Sequence, residues 1–203
     1  MSTDDNKTSA PAPFESFPKI PRLRSAMVLS ITEKIDGTNA QIYVPEDPDL
    51  PLQVGSRNRW ITPGQTTDNF GFAAWVAERA DELRTGLGPG RHFGEWYGAG
   101  IGRRYGLAER RLALFNWRRW TTPEQRERLP SYIETVPVLY SGAFDATAIH
   151  TVREELRTGG SRAVPGFMDP EGYVVEFRGE LAKFTFDGDG HKDAAKRPAA
   201  ATA

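Results

Sequence analysis

Cysteine is absent from this chain, lysine is scarce, and no long apolar run occurs anywhere in its 203 residues. The missing thiols exclude disulfides and thiolate metal sites. His92, His150 and His191 are too far apart for a zinc-like spacing, so any metal is to be held by oxygen. No segment approaches the roughly 20 apolar residues that cross a bilayer. The N-terminus also lacks the basic-then-apolar order of a signal peptide. The expectation is a soluble, cytoplasmic monomer with no membrane partner.

The net charge of −1 conceals an asymmetry, because 26 basic residues divide into 20 arginines and 6 lysines. Arginine suits bidentate phosphate recognition, although a GC-rich genome produces the same bias. No lysine occurs between Lys34 and Lys183, so amine chemistry in the folded body has few candidates.

A length of 203 residues with 38% hydrophobic content supports one buried core. Residues 1–13 and 188–203 mix small, polar and proline residues and read as disordered tails, leaving one domain over 14–187. Strand-like runs fall at 27–34, 40–44, 52–57, 92–97, 112–117, 136–140, 172–178 and 181–186. A stripe of Phe72, Trp75, Val76, Arg79, Ala80 and Leu83 predicts one amphipathic helix over 68–83. Thr122-Pro123-Glu124 reads as a helix start, and Ile149, Val152 and Leu156 give a helical face over 147–156. The short connections at Gly37-Thr38 and Gly179-Glu180 predict antiparallel hairpins and an α+β class.

The chemistry concentrates in Ile31-Thr32-Glu33-Lys34-Ile35-Asp36-Gly37-Thr38-Asn39, a lysine of the form Lys-x-Asp-Gly at the end of a strand. Alternation predicts that Lys34 and Asp36 share a face, with Gly37 allowing a sharp turn beneath a ligand. Four residues alone form a weak signal, and a surface hairpin with an ordinary salt bridge would look the same.

Five further segments follow in order: Gly55-Ser56-Arg57-Asn58-Arg59, His92-Phe93-Gly94-Glu95-Trp96-Tyr97-Gly98, Leu114-Phe115-Asn116-Trp117, Glu171-Gly172-Tyr173-Val174-Val175 and Lys183-Phe184. Together with Lys34 they resemble the covalent nucleotidyltransferase superfamily of ATP-dependent DNA ligases, RNA ligases and capping guanylyltransferases. The wording around Asp36 and Glu95 is most similar to RNA ligases that seal nicked duplex RNA. This resemblance implies an ATP-grasp-like catalytic domain, with antiparallel sheets flanked by helices and a nucleotide cleft between them.

It also implies roles. Lys34 would carry AMP taken from ATP, pass it to a 5′-phosphate RNA end, and leave a 3′-hydroxyl to displace it. Asp36 and Lys183 would be the other catalytic residues, and Glu171 would hold Mg2+ or Mn2+. Glu33 would lie beside the adenine edge, Asn39 and Arg57 near phosphate or sugar, Glu95 near the ribose, Phe115 on the adenine, and Val175 against the nucleotide. A lysine amine has an unperturbed pKa of ~10.4, so the site must make its charged form costly; Lys183 and the metal would do so.

Two departures stand out. Thr185 occupies a position where the family usually carries a second lysine, and Arg178 or the Thr185 hydroxyl are the candidate substitutes. Few residues follow Phe186, so no accessory domain is expected within this sequence. The core surface would then grip RNA, through Arg103-Arg104, Arg110-Arg111 and Arg118-Arg119 interleaved with Trp96, Tyr97 and Tyr105. The rival readings are a DNA ligase core, a capping guanylyltransferase and a non-sealing module that binds nucleic-acid ends.

Overall fold

The computed structural model describes residues 27–187; both expected tails, and residues 14–26 of the expected domain, lie outside the described residues. Two sheets carry the fold. One has four strands in the order β10-β9-β1-β8, formed by β1 (Val28–Lys34), β8 (Val138–Ala143), β9 (Gly172–Phe177) and β10 (Glu180–Thr185). The other has six in the order β4-β3-β2-β5-β6-β7. Its strands are β2 (Thr38–Val44), β3 (Gln53–Gly55), β4 (Trp60–Ile61), β5 (Gly90–Gly98), β6 (Arg110–Leu114) and β7 (Ile133–Thr135). Every pairing is antiparallel except β6 with β7.

Helices cover the outer face of each sheet. Against the six-stranded sheet, Phe72, Ala73, Val76, Leu83 and Leu87 pack on Ile42, Val54, Leu112 and Leu114. Against the other, α4 (Ala146–Gly159) packs Ala148, Val152 and Leu156 on Leu29, Ile31 and Tyr173. The α4 start is fixed by Asp145, whose side chain accepts from Thr147 N–H at 2.8 Å. The predicted start at Thr122 is a full capping box with Gln125, opening α3 (Pro123–Arg128).

The single helix predicted over 68–83 is instead two, α1 (Phe72–Ala77) and α2 (Ala80–Leu87). Asp68 is the reason for the late start, because its carboxylate accepts from the backbone N–H of Asn69, Ala73 and Ala74 and acts as a cap. The break follows at Arg79, with φ −122° and ψ 19°. Its guanidinium donates to Trp75 C=O and lies over the Trp75 and Tyr132 rings. The periodic stripe survives because both helices bury their apolar residues in the same core.

The hairpin expected at Gly179-Glu180 is present, with Arg178 and Gly179 as its two loop residues, both at positive φ. The one expected at Gly37-Thr38 is absent. After β1 the chain leaves its sheet and enters the other, so β1 and β2 never pair. Ile35 is drawn into a third core, with Tyr97, Tyr105, Ala113 and Val136, at the junction of the two sheets. Gly37 passes so close to β5 that a Cβ there would meet Trp96 O at 2.5 Å and Glu95 Cγ at 2.9 Å. That crossing leaves the inner faces of the two sheets facing each other across a cleft. Among the described residues no helix is long and apolar enough to cross a membrane.

Candidate active site

Alternation along β1 sends Leu29, Ile31 and Glu33 outward into buried positions and Ser30, Thr32 and Lys34 into the cleft, a hollow of about 880 Å3. Lys34 is the last residue of the strand and pairs with Gly172 of β9. Its Nζ donates to Glu171 Oε2 at 2.6 Å, and the two side chains are 21% and 16% exposed. Lys183 of β10 lines the same cleft, in register with Val174 and, through it, with Thr32.

The six-stranded sheet supplies the facing wall. Asn39 pairs with Glu95 across β2 and β5, and its side-chain oxygen accepts from Arg57 Nε at 2.9 Å. Glu95 is buried, and desolvation pushes its carboxyl up to about 7. The Lys34 charge opposes the shift, the Glu171 charge reinforces it, the Gly37 N–H opposes it, and Asp36 adds to it.

This shift has a testable sign. The folded protein retains the Glu95 proton to about pH 7, whereas the unfolded chain releases it near 4.5. The contribution of this group to stability is therefore complete below 4.5 and is lost as pH rises through about 7. Glu95→Gln keeps an oxygen for the Gly37 N–H and carries no charge. Its melting temperature relative to wild type is expected to be higher at about pH 8 than at about pH 5, by the equivalent of at most about 3 kcal/mol. A pH-independent difference would refute this account.

Asp36 lines the cleft, but its carboxylate is engaged elsewhere, contrary to the expectation that it joins Lys34 on one strand face. The strand ends at Lys34, so alternation does not reach Asp36. Asp36 Oδ2 accepts from Arg103 N–H at 3.0 Å, and Asp36 N–H donates to Tyr105 Oη at 2.7 Å. Arg103 also pairs with Asp169 and Asp187, tying this loop to the end of β10.

Glu33 lines the cleft but its carboxylate is engaged elsewhere, and Val175 lies outside the cleft lining. The Glu33 carboxylate accepts from Ser161 Oγ at 2.5 Å, Arg162 N–H at 2.7 Å and Ala163 N–H at 2.9 Å. Burial raises its pKa, and these donors pull it back. Its side chain anchors the 161–164 loop, a role the sequence did not disclose. Val175 faces the outer core beside α4, and its neighbour Val174 lines the cleft.

Phe115 is 40% exposed at the cleft rather than buried with Leu112 and Leu114. Phe93 stands beside it, 49% exposed, and the Phe115 N–H donates to Phe93 C=O at 2.8 Å. In the sequence Phe93 reads only as one of the aromatics flanking Glu95 that favour a cleft, and its spacing of two from Glu95 puts both on one strand face. Trp96, Tyr97 and Tyr105 are buried in the cores and offer no stacking surface.

Of the arginine pairs, Arg103, Arg110, Arg111 and Arg119 make internal contacts with carboxylates or backbone carbonyls. Arg118 does line the cleft, bonded to Glu176 and to Ser30 Oγ and lying over the Trp117 ring. Thr185 pairs with Gly172 in the same cross-strand row as Lys34. Arg178 sits at the other end of those strands, about 17 Å away at ~3.4 Å per residue, too far to replace a contact at Lys34.

A second hollow of about 710 Å3 lies between the β3–β4 edge and α1–α2, lined by Leu52, Val54, Ile61 and Val76 with Asp81 and Arg84. It contains no lysine. Lys34 and Lys183 both line the cleft between the sheets, and the Lys34 amine is paired there with Glu171.

A family model described as RNA ligase matches residues 28–186. No curated protein matches the chain. Among solved structures, a mutant of Naegleria gruberi RNA ligase with AMP and Mn is similar at a TM-score of 0.55 and 21% identity, over 83% of this chain and 53% of that one. A mutant of the same ligase with ATP and Mn gives 0.54 and 21%, over 82% and 52%. The Naegleria gruberi ligase with PPi gives 0.53 and 21%, again over 82% and 52%. The chain thus spans about half the length of these structures.

Proposed function

The chain belongs to the RNA ligase family, and from that membership and the cleft geometry we propose that it is an ATP-dependent RNA ligase core in which Lys34 carries AMP. The observation that carries this reading is the Lys34 amine, held 2.6 Å from Glu171 inside a cleft that Lys183 also lines. Nucleotide and metal use draw support from the similar Naegleria gruberi structures with AMP or ATP and Mn.

In the first step the deprotonated Lys34 nitrogen attacks the α-phosphorus of ATP, and pyrophosphate leaves. An oxygen of an RNA 5′-phosphate then attacks the same phosphorus, releasing Lys34 and forming an adenylylated end. The 3′-hydroxyl finally attacks the RNA phosphorus, loses its proton, and expels AMP. Lys183 places a cation on the cleft wall where phosphoryl charge develops. Phe115 stacks on the adenine, and Asn39, Arg57 and Glu95 bind the sugar and phosphates from the facing sheet.

Among the described residues no three acidic or histidine side chains cluster as a metal cage. A single carboxylate fits magnesium, which keeps several waters and completes its shell with substrate phosphates. Glu171 would hold the ion, which would supply positive charge to the phosphate oxygens. Because Glu171 pairs with Lys34, its engagement by the ion would free the amine from that partner.

Incubation with ATP labelled in the α-phosphate, plus magnesium or manganese, is expected to leave label on the peptide containing Lys34, stable to alkali and released by acid as a nitrogen–phosphorus bond requires. A chase with 5′-phosphorylated RNA should move the label to RNA and then yield a joined strand. Absence of protein-bound label would overturn the reading. Thr185 supports a narrower alternative, a module that adenylylates itself without sealing, for which label would form and no joined strand would follow. A parallel chase with DNA ends decides the sugar preference.

A further inference from the structure

One cross-strand row on the cleft face of the six-stranded sheet extends well beyond the place proposed for adenine. Phe115 hydrogen-bonds to Phe93, Phe93 pairs with Gln41, Gln41 pairs with Gly55, and Gly55 pairs with Trp60. At ~4.8 Å between strands this row is about 19 Å long. Its large rings are unusually open for a sheet face, with Phe93 and Trp60 each 49% exposed. The Trp60 ring lies across Gly55, where a Cβ would come within 3.3 Å of it, so the glycine gives the indole its bed.

The next row outward holds Tyr43 paired with Arg91. The Arg91 guanidinium lies 4.9 Å from the Tyr43 ring centre and 5.4 Å from that of Trp60, linking the two rows through one cation. Among the described residues no carboxylate pairs with Arg91. Arg57 and Arg59 are exposed in the β3–β4 loop, and Arg57 lines the same cleft as Arg91. Gln41, in the middle of the row, has an amide nitrogen buried without a hydrogen-bond partner. The face therefore joins open rings, an arginine that no carboxylate of the described residues pairs with and an unfilled donor, and it is continuous with the nucleotide cleft through Phe93 and Arg91.

Rings exposed on a sheet stack on bases that are free of partners, whereas paired RNA hides its bases and offers backbone. We infer that this outer half of the sheet face binds two or three unpaired nucleotides next to the RNA end being joined, their bases on Phe93 and Trp60 and their phosphates near Arg91 and Arg57. The inference rests on the RNA ligase reading and narrows its substrate, from a flush nick in duplex RNA to an end with unpaired nucleotides.

The test compares binding of a short 5′-phosphorylated RNA, single-stranded or annealed to its full complement, by wild type, Trp60→Ala and Tyr43→Ala. Neither substituted residue belongs to the nucleotide site, so labelling of Lys34 by ATP should be unchanged and reports the fold. Wild type is expected to prefer the single strand, and Trp60→Ala to weaken that binding about tenfold or more while leaving the duplex unaffected. Equal affinity of wild type and both variants for the single strand would overturn the inference. So would an equal loss for both RNAs, which indicates a general phosphate surface. Failure of wild type to take label from ATP counts against the ligase reading alone, because the binding arms are read without ATP.

Discussion

Lys34→Ala is expected to reduce covalent labelling by ATP to background, a loss of at least about 10^3-fold, while the protein stays folded. Within residues 27–187 the only other lysine is Lys183, and it cannot deputise. It lies two strands away on β10, in register with Thr32 rather than with Lys34, roughly 10 Å across the sheet. From there its charge can act on phosphate oxygens, but its amine is not placed to form the bond to a phosphorus positioned for the β1 amine. Lys34→Arg separates charge from nucleophilicity, since a guanidinium can keep the ion pair with Glu171 but has no available lone pair to attack with. Both variants should therefore lose label, while a cooperative melt shows the fold intact. Retention of label by either would move the attachment site elsewhere.

The legible part of this site is the part carried by strands. Lys34, Asn39, Glu95 and Lys183 reach the cleft because alternation fixes their faces, and the order of their segments already pointed to one pocket. The errors occur where the chain departs from a strand. Asp36 follows the end of β1, so its carboxylate meets Arg103 in a loop 67 residues away, a contact no local pattern encodes. Gly37 was read as a hairpin turn because short connections usually join paired strands. In fact it threads beneath Trp96 between two sheets, and only the packing of β5 reveals that.

Charge patterns were legible only as composition. Three arginine pairs look alike in sequence, yet Arg118 faces the cleft and the partners of Arg103, Arg110, Arg111 and Arg119 are internal. Trp96, Tyr97 and Tyr105 read as a stacking surface and are core residues, because β5 is covered on both faces at that end. The single expected helix divides for a similar reason, since Asp68 and Arg79 redirect the backbone while hydrophobic periodicity continues through the break.

Glu171→Ala separates two roles that the geometry leaves superimposed. In the structure Glu171 is an ion-pair partner, 2.6 Å from the amine that must become neutral before it can attack. If pairing were its whole function, removing it would release the nucleophile, and labelling would persist or accelerate. If Glu171 instead holds the divalent ion, its loss removes positive charge from the phosphate oxygens at the moment of transfer. The expected result is a fall in the labelling rate of about 10^2 to 10^3-fold, the scale of losing one preorganised electrostatic contact in a closed site. The metal dependence identifies the cause, because half-maximal labelling should require more magnesium or manganese in Glu171→Ala, and raising the metal should recover part of the rate. A rate equal to or above that of wild type, with unchanged metal dependence, would leave Glu171 a partner of Lys34 only and would place the metal on other oxygen atoms of the cleft.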